Sequence, residues 1–197
     1  MILPIVVYGD PVLRKVAENI SKDYPNLDKL IADMFETMYA ARGVGLAAPQ
    51  IGKAIRLFVV DAGPFAEVGE DEEPEYSPEE MKAIAGFKRV FINAKIVEEK
   101  GNEWKFNEGC LSIPKIREDV SRKADIVVEY QDENFKKHKE VFSGVIARVI
   151  QHEYDHIEGK LFTDRISAIR RKLIAGKLKD ISSGNFSADY KVKIFRG

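Results

Sequence analysis

The sequence predicts an α+β fold, and three observations predict it. An apolar stripe at helical period runs from about Asn26 to Arg42, alternating or continuous apolar runs lie between Lys88 and Phe142, and the apolar-rich run Val145 to Ile157 returns to helical period. Strands gathered between a leading helix and a later one imply a central helix packed against mixed or antiparallel β-sheets, with further helices at the N- and C-terminal ends. At 197 residues, 45% hydrophobic and 32% charged, the chain is long and apolar enough for one domain with a sizeable core. The expected organisation is a single domain over 1–197. It carries an acidic surface insertion at about 65–82 and a basic helix with a strand-like tail at about 167–197.

Taken in order, Asp10-Pro11 starts a short helical turn, with Asp10 as cap and Pro11 at the first helical position. The first long helix places Leu27, Leu30, Ile31, Met34, Phe35 and Met38 on one face and stops at Gly43. The stretch 43–52, with three glycines and a proline, is too broken for a regular element. Its glycines allow close backbone approach, and Gln50 is a lone amide among small apolar residues. A strand follows from Ile55 to Ala62. The acidic stretch after it is a solvated loop, and Ser77-Pro78-Glu79-Glu80 caps a short helix. Strands are expected at Lys88 to Glu99 (with Val90, Ile92 and Ile96 inward), Glu103 to Asn107, Ile116 to Arg122, Ala124 to Gln131 and Phe135 to Phe142. Asp132-Glu133-Asn134 is their hairpin turn. The central helix starts near Ser143. A second amphipathic helix spans Ser167 to about Ile181, and Tyr190 to Phe195 alternates like a strand.

Composition excludes several classes. A net charge of -1 supplies no global field for DNA or an anionic membrane. A single cysteine forms no internal disulfide and suits a reducing compartment. The N-terminus lacks the basic start of a signal peptide, and no apolar run reaches the length of a membrane span, so a cytoplasmic location is expected.

The chemistry is concentrated in Gln151-His152-Glu153-Tyr154-Asp155-His156. On a helix, residues four apart lie one turn above each other, so His152 and His156 aim at one point and can grip one metal ion. Glu153 points off that axis, where its carboxylate reaches a water held by the ion without binding the ion itself. Such a centre needs a third protein ligand. A third histidine six residues after the second is absent, since that position is Phe162, and no Glu follows Gly159. Asp180 is the one carboxylate on a downstream helix. His138 sits among charged neighbours and reads as solvated. Elimination leaves Cys110.

Three segments, Gly-Val-Gly-Leu-Ala-Ala-Pro-Gln-Ile-Gly at 43–52, Glu-Gly-Cys-Leu-Ser-Ile-Pro at 108–114 and Gln-His-Glu-Tyr-Asp-His-Ile-Glu-Gly at 151–159, together resemble the signature motifs of the peptide deformylases. The likeness extends from Pro4 to about Ile166. These enzymes are hydrolases that remove the formyl group from the initiator methionine of newly made polypeptides. The resemblance implies that Cys110, His152 and His156 bind one divalent metal, ferrous iron in the cell, with zinc, nickel or cobalt as substitutes. It further implies Glu153 as base, and Gln50 and the backbone N–H of Leu111 as oxyanion donors. The nascent formylated peptide would lie extended along Val44 and Gly45, with its methionine near Val44, Leu111, Val145, Val149 and His152, and with Arg117 nearby. Arg148 departs from the apolar residue common at its place, and the basic C-terminal helix offers a face for ribosome contact. A metallopeptidase using Asp180 and a non-catalytic metal-stabilised module are the other readings; neither gives Gln50 and the glycine loop a role.

Overall fold

Leu57, Phe58, Val59 and Val60 follow one another without a polar residue because both faces of their strand are covered. The computed structural model describes residues 1–67 and 75–195. In it Phe58 and Val60 pack with the helix that carries the two close histidines, while Leu57 and Val59 pack with the N-terminal helix. The architecture is thus helix, sheet, helix, and the α+β class holds.

The elements run β1 (Ile5–Val6), a 3-10 turn (Pro11–Arg14), α1 (Leu27–Ala40), β2 (Gly45–Ala47), a 3-10 turn (Ala48–Ile51), β3 (Leu57–Asp61), a 3-10 turn (Gly63–Ala66), α2 (Pro78–Ala85), β4 (Lys88–Cys110), β5 (Ile113–Gln131), β6 (Lys137–Ser143), α3 (Gly144–Ile157), a 3-10 turn (Phe162–Asp164), α4 (Ala168–Ser182) and β7 (Val192–Lys193). Strands β2 to β6 form one antiparallel sheet in sequence order, so β2 is an edge; β1 and β7 form a separate parallel pair. Asp10 caps its turn through Val12 N–H, and Ser77 and Glu80 form a capping box on α2. All six stripe residues of α1 are buried. A third apolar cluster joins Leu13, Ile113, Val120 and Phe162 to Ile174, Leu178 and Ile181 of α4.

Several boundaries differ from expectation for identifiable reasons. The helix α1 ends in a left-handed Arg42 (φ 55°) rather than at Gly43, with Arg42 N–H on Tyr39 O and Gly43 N–H on Met38 O, both at 2.9 Å. Within 43–52 a regular element does form, since β2 pairs with β3 despite its glycine. The strands expected at 88–99 and 103–107 are one 23-residue strand, and those at 116–122 and 124–131 are likewise one. Register shifts, including one between Lys100 and Glu103, let the backbone ladder continue through charged residues that lack an apolar signal. Phe135 belongs to the hairpin turn (φ 61°), so β6 starts later. In α4 only three apolar residues are buried, and Ile169 and Leu173 face outward, so its amphipathic character is narrow. Part of the acidic stretch, 68–74, lies outside the described residues.

The sheet's centre is aromatic. Phe91 is fully buried, with its ring centroid 4.7 Å from Phe58 and 4.5 Å from Tyr130. Phe91→Ala is expected to cost about 3–5 kcal/mol by urea denaturation, through lost transfer energy plus a cavity between two covered faces. A loss below about 1 kcal/mol would show that the site collapses and that the aromatic layer is not what holds α3 to the sheet.

Candidate metal centre

Strands β4 and β5 form a long hairpin closed by a two-residue turn, with Cys110 paired to Ile113 across it. The cysteine therefore projects from the hairpin tip, and α3 brings His152 and His156 to the same place from the other side. The ligand-capable atoms of Cys110, His152 and His156 all lie within 4.8 Å of one another, the only such cluster among the described residues. Cys110 Sγ stands 3.3 Å from His156 Nε2. One thiol and two imidazoles with a space between them form a donor set suited to later first-row divalent metals. Burial lowers the proton affinity of both rings. It holds His156 well below its ordinary value, while the neighbouring Cys110 and Glu108 raise His152. Asp180 is not in the cluster. His138, read as solvated, is instead half-buried on Asp132 at 2.7 Å and stacked on Tyr130.

A buried ionic network stands behind the ligands. Glu108 accepts from Arg122 Nε (2.7 Å) and Nη2 (2.9 Å), and from Arg148 Nη1 (3.0 Å). The His152 Nδ1–H contact to the same carboxylate is 3.0 Å, which fixes the tautomer that turns Nε2 toward the thiol. Arg122 also donates to Asp155 (2.7 Å), which Arg165 grips through Nε (2.5 Å) and Nη2 (2.6 Å). Burial alone would raise Glu108, but Arg122 and His152 outweigh it and hold the group far below the usual carboxylate range. Asp155 is likewise lowered by Arg165 and Arg122 against its own burial.

Glu153 is buried without such support. Its Oε2 has no hydrogen-bond partner, and burial pushes the carboxyl up to about 7 against the opposing pull of His152. It lies hard against β2, where a Cβ on Gly45 would stand 2.7 Å from Glu153 Cδ, so only glycine leaves the carboxylate room. Gln50 is oriented by Ala47 N–H on its Oε1 (2.8 Å), which turns Nε2 toward Cys110 Sγ (3.5 Å) and Ser112 Oγ (3.3 Å).

A cavity of about 480 Å³ opens at this point. Val44, Gly45, Gln50, Cys110, Leu111, Arg117, Val149, His152 and Glu153 all line it. Val145 does not: it sits nearly two turns before His152 and packs into the core with Ala147 and Ile150. Arg117 is tied to Asn107 Oδ1 at 2.8 Å. Arg148 forms part of the wall, its charge met by Glu108 and by the carbonyls of Val120 (3.0 Å) and Trp104 (2.6 Å), and its guanidinium stacked on the Trp104 ring. Among the contributors that sequence reasoning missed, three are aromatic. Phe65, at the start of the stretch read as a solvated insertion, lines the cavity, as do Phe106 and Tyr190 from the tail. The alternation of Trp104 and Phe106 was a usable signal; Tyr190 had none.

The polypeptide deformylase family model matches residues 2–172. A peptide deformylase from Flavobacterium psychrophilum is 59% identical over 194 residues, covering 98% of this chain and 97% of that protein. The crystal structure of a peptide deformylase from Legionella pneumophila superposes with a TM-score of 0.74 at 38% identity, covering 93% of this chain and 96% of that one. One from Thermotoga maritima gives 0.71 at 40% identity, covering 85% and 99%.

Because Glu108 both orients His152 and is itself neutralised by two guanidinium groups, its charge should be felt at the ligands. Glu108→Gln is expected to weaken zinc binding by about 10–100-fold in competition with a chromophoric chelator. Unchanged affinity would show that the carboxylate serves packing alone.

Proposed function

The chain belongs to the peptide deformylase family, and on that premise we propose that Cys110, His152 and His156 hold one divalent metal ion while Glu153 moves the proton. It is a metal-dependent hydrolase that removes the N-formyl group from the initiator methionine of newly synthesised polypeptides and releases formate. The observation that carries the assignment of roles is the meeting of one thiol and two imidazoles within 4.8 Å, beside a buried carboxylate with an unpartnered oxygen. Ferrous iron is the proposed native metal, with zinc, nickel or cobalt able to replace it at a thiolate-imidazole site. When bound, the ion supplies an acidified water and a Lewis-acid contact for the formyl oxygen.

The chain's own residues do the rest. Glu153 takes a proton from the attacking water and passes it to the leaving amine, so the formyl C–N bond breaks and a free N-terminus forms. Its carboxylate is held away from the ligand cluster against Gly45, a position that supports a base rather than a fourth ligand. As charge grows on the formyl oxygen, Gln50 Nε2 and the Leu111 N–H donate to it; both are set before substrate arrives, Gln50 by Ala47 and Leu111 by the hairpin turn.

The substrate backbone is proposed to add to the free edge of β2 along Val44 and Gly45, with the methionine side chain entering the cavity beside Leu111 and Val149 and with Arg117 near the following residues. Cytoplasmic action on chains emerging from the ribosome fits this chemistry, and no described helix is long and apolar enough to cross a membrane. Ribosome contact through α4 would fall to Lys172, Lys177 and Lys179. Arg170 and Arg171 are already bound inward, to Glu118 and to the Thr163 and Asp164 carbonyls. The whole chain is proposed to act as one catalytic domain.

Anaerobically prepared, iron-loaded protein is expected to release formate from formyl-Met-Ala-Ser. Glu153→Ala, shown by analysis to retain its metal, should lose about 10²–10⁴-fold in kcat. Equal rates in the two proteins would remove Glu153 from the role of base. Gln50→Ala is expected to lose about 10²–10³-fold in kcat at constant metal content, and a change confined to KM would argue against oxyanion binding.

A further inference from the structure

The turn Leu111-Ser112 carries little of its own support. It is the tip of a long hairpin, only two residues join Cys110 to Ile113, and the catalytic assignment depends on where its backbone points. Besides the Gln50 amide on the Ser112 hydroxyl, two hydrogen bonds from outside the sheet reach its backbone carbonyls. The Tyr8 N–H donates to Ser112 O at 2.8 Å, and the Tyr190 hydroxyl donates to Leu111 O at 2.7 Å. Tyr8 follows β1 by two residues and Tyr190 precedes β7 by two, and β1 and β7 are the pair that zip the chain's two ends together, Ile5 to Val192 and Val6 to Lys193. Both carbonyls of the turn are therefore held by residues that flank one small sheet, which pairs Ile5 with Val192 and contributes no ligand of its own.

We propose that this terminal sheet is a clamp on the active-site turn, and that Tyr190 is its positioning residue on the cavity side. Fixing the carbonyls of Leu111 and Ser112 fixes the Leu111–Ser112 and Ser112–Ile113 peptide planes, the two that follow the plane carrying the Leu111 N–H. That limits rocking of the hairpin tip, which would swing the thiol away from His156 and the Leu111 N–H away from the formyl oxygen. Tyr190 suits the task because its half-buried ring packs against the same apolar cluster as Leu111 while its hydroxyl reaches the carbonyl. A second tether closes the same flank, where Lys115 Nζ donates to Ser187 Oγ at 2.5 Å just before Tyr190. The proposal rests on the deformylase reading only for its effect on turnover; its structural half stands apart from it.

The test compares the full-length protein with Tyr190→Phe, which keeps the ring and removes only the hydroxyl, and with Tyr190→Ala. Hydrogen exchange of the segment 108–114 should speed up in both variants, with thermal melting of Tyr190→Phe close to wild type. In cobalt-substituted protein the thiolate-to-cobalt absorption should shift or broaden in Tyr190→Phe at unchanged cobalt stoichiometry. With formyl-Met-Ala-Ser, kcat should fall about 3- to 10-fold in Tyr190→Phe and further in Tyr190→Ala, with KM little changed in the first. Wild-type exchange across 108–114 together with a wild-type cobalt spectrum in Tyr190→Phe would overturn the clamp. If wild-type protein releases no formate, the deformylase reading fails, and the exchange and spectral results still decide the clamp.

Discussion

One guanidinium ties the two halves of the metal centre together. Arg122 is almost wholly buried and spans from Glu108, two residues before Cys110, to Asp155, one residue before His156. The hairpin and α3 are separate elements with no covalent reason to keep a fixed spacing. The Arg122 bridge supplies one, and its geometry transmits directly to ligands on both sides. Such a bridge gives little net stability when intact, because desolvating three ions offsets much of their attraction. Its value is that few other packings satisfy all its members. A shift of the hairpin by one residue would leave a carboxylate buried and unpaired, at a cost of several kcal/mol, so the register of β5 against α3 is strongly specified.

The network also explains how a cationic wall can stand next to a site for a cation. Arg148 enters the cavity lining where an apolar residue was expected, yet its charge is spent on Glu108 and on two backbone carbonyls, and its flat face lies on Trp104 at 4.5 Å. Chemically it acts as a broad, polar-edged plane rather than as a free positive charge. Glu108, in turn, serves Arg122, Arg148 and His152 with two oxygens, so no member of the group can be exchanged without disturbing a ligand.

How much of this was readable from the residues alone follows from sequence distance. The two histidines sit on one helical face with Glu153 beside the first of them, and a period of 3.6 residues gives that arrangement without knowledge of anything else. Cys110 and Gln50 were found because their local segments are unusual, one holding the chain's single cysteine and the other three glycines around a lone amide. The helix α1 and the capping box of α2 were legible for the same reason, each being a local pattern. The arginine network was not. Arg122 lies 14 residues from Glu108 and 33 from Asp155, and only the register of the β4–β5 hairpin and the packing of α3 make them neighbours. Tyr190 lies 79 residues from Leu111; the alternation of 190–195 marks a strand, but no local signal marks its pairing with the two-residue β1 that brings Tyr190 to the turn. The long strand β4 was split for a related reason, since side-chain pattern is interrupted at Lys100 to Glu103 while the backbone ladder resumes after a register shift.

The buried polar atoms left without a hydrogen bond lie at the same place. Among the described residues, the buried side-chain polar atoms that lack a partner are Arg148 Nε, Glu153 Oε2 and His156 Nδ1, all three on α3. Each such atom ordinarily costs about 1–3 kcal/mol, and a fold selected for stability alone would bond or replace it. Other buried ions among the described residues are paired with care, as in Arg122 on β5 and Asp155 on α3 itself, so the exceptions do not reflect loose packing. Glu153 is the telling one. The fold excludes a side chain at Gly45 to admit this carboxylate, raises its proton affinity by burial, and then leaves one oxygen without a donor. That combination is unfavourable for a structural group and suits a base that must receive a proton and give it back.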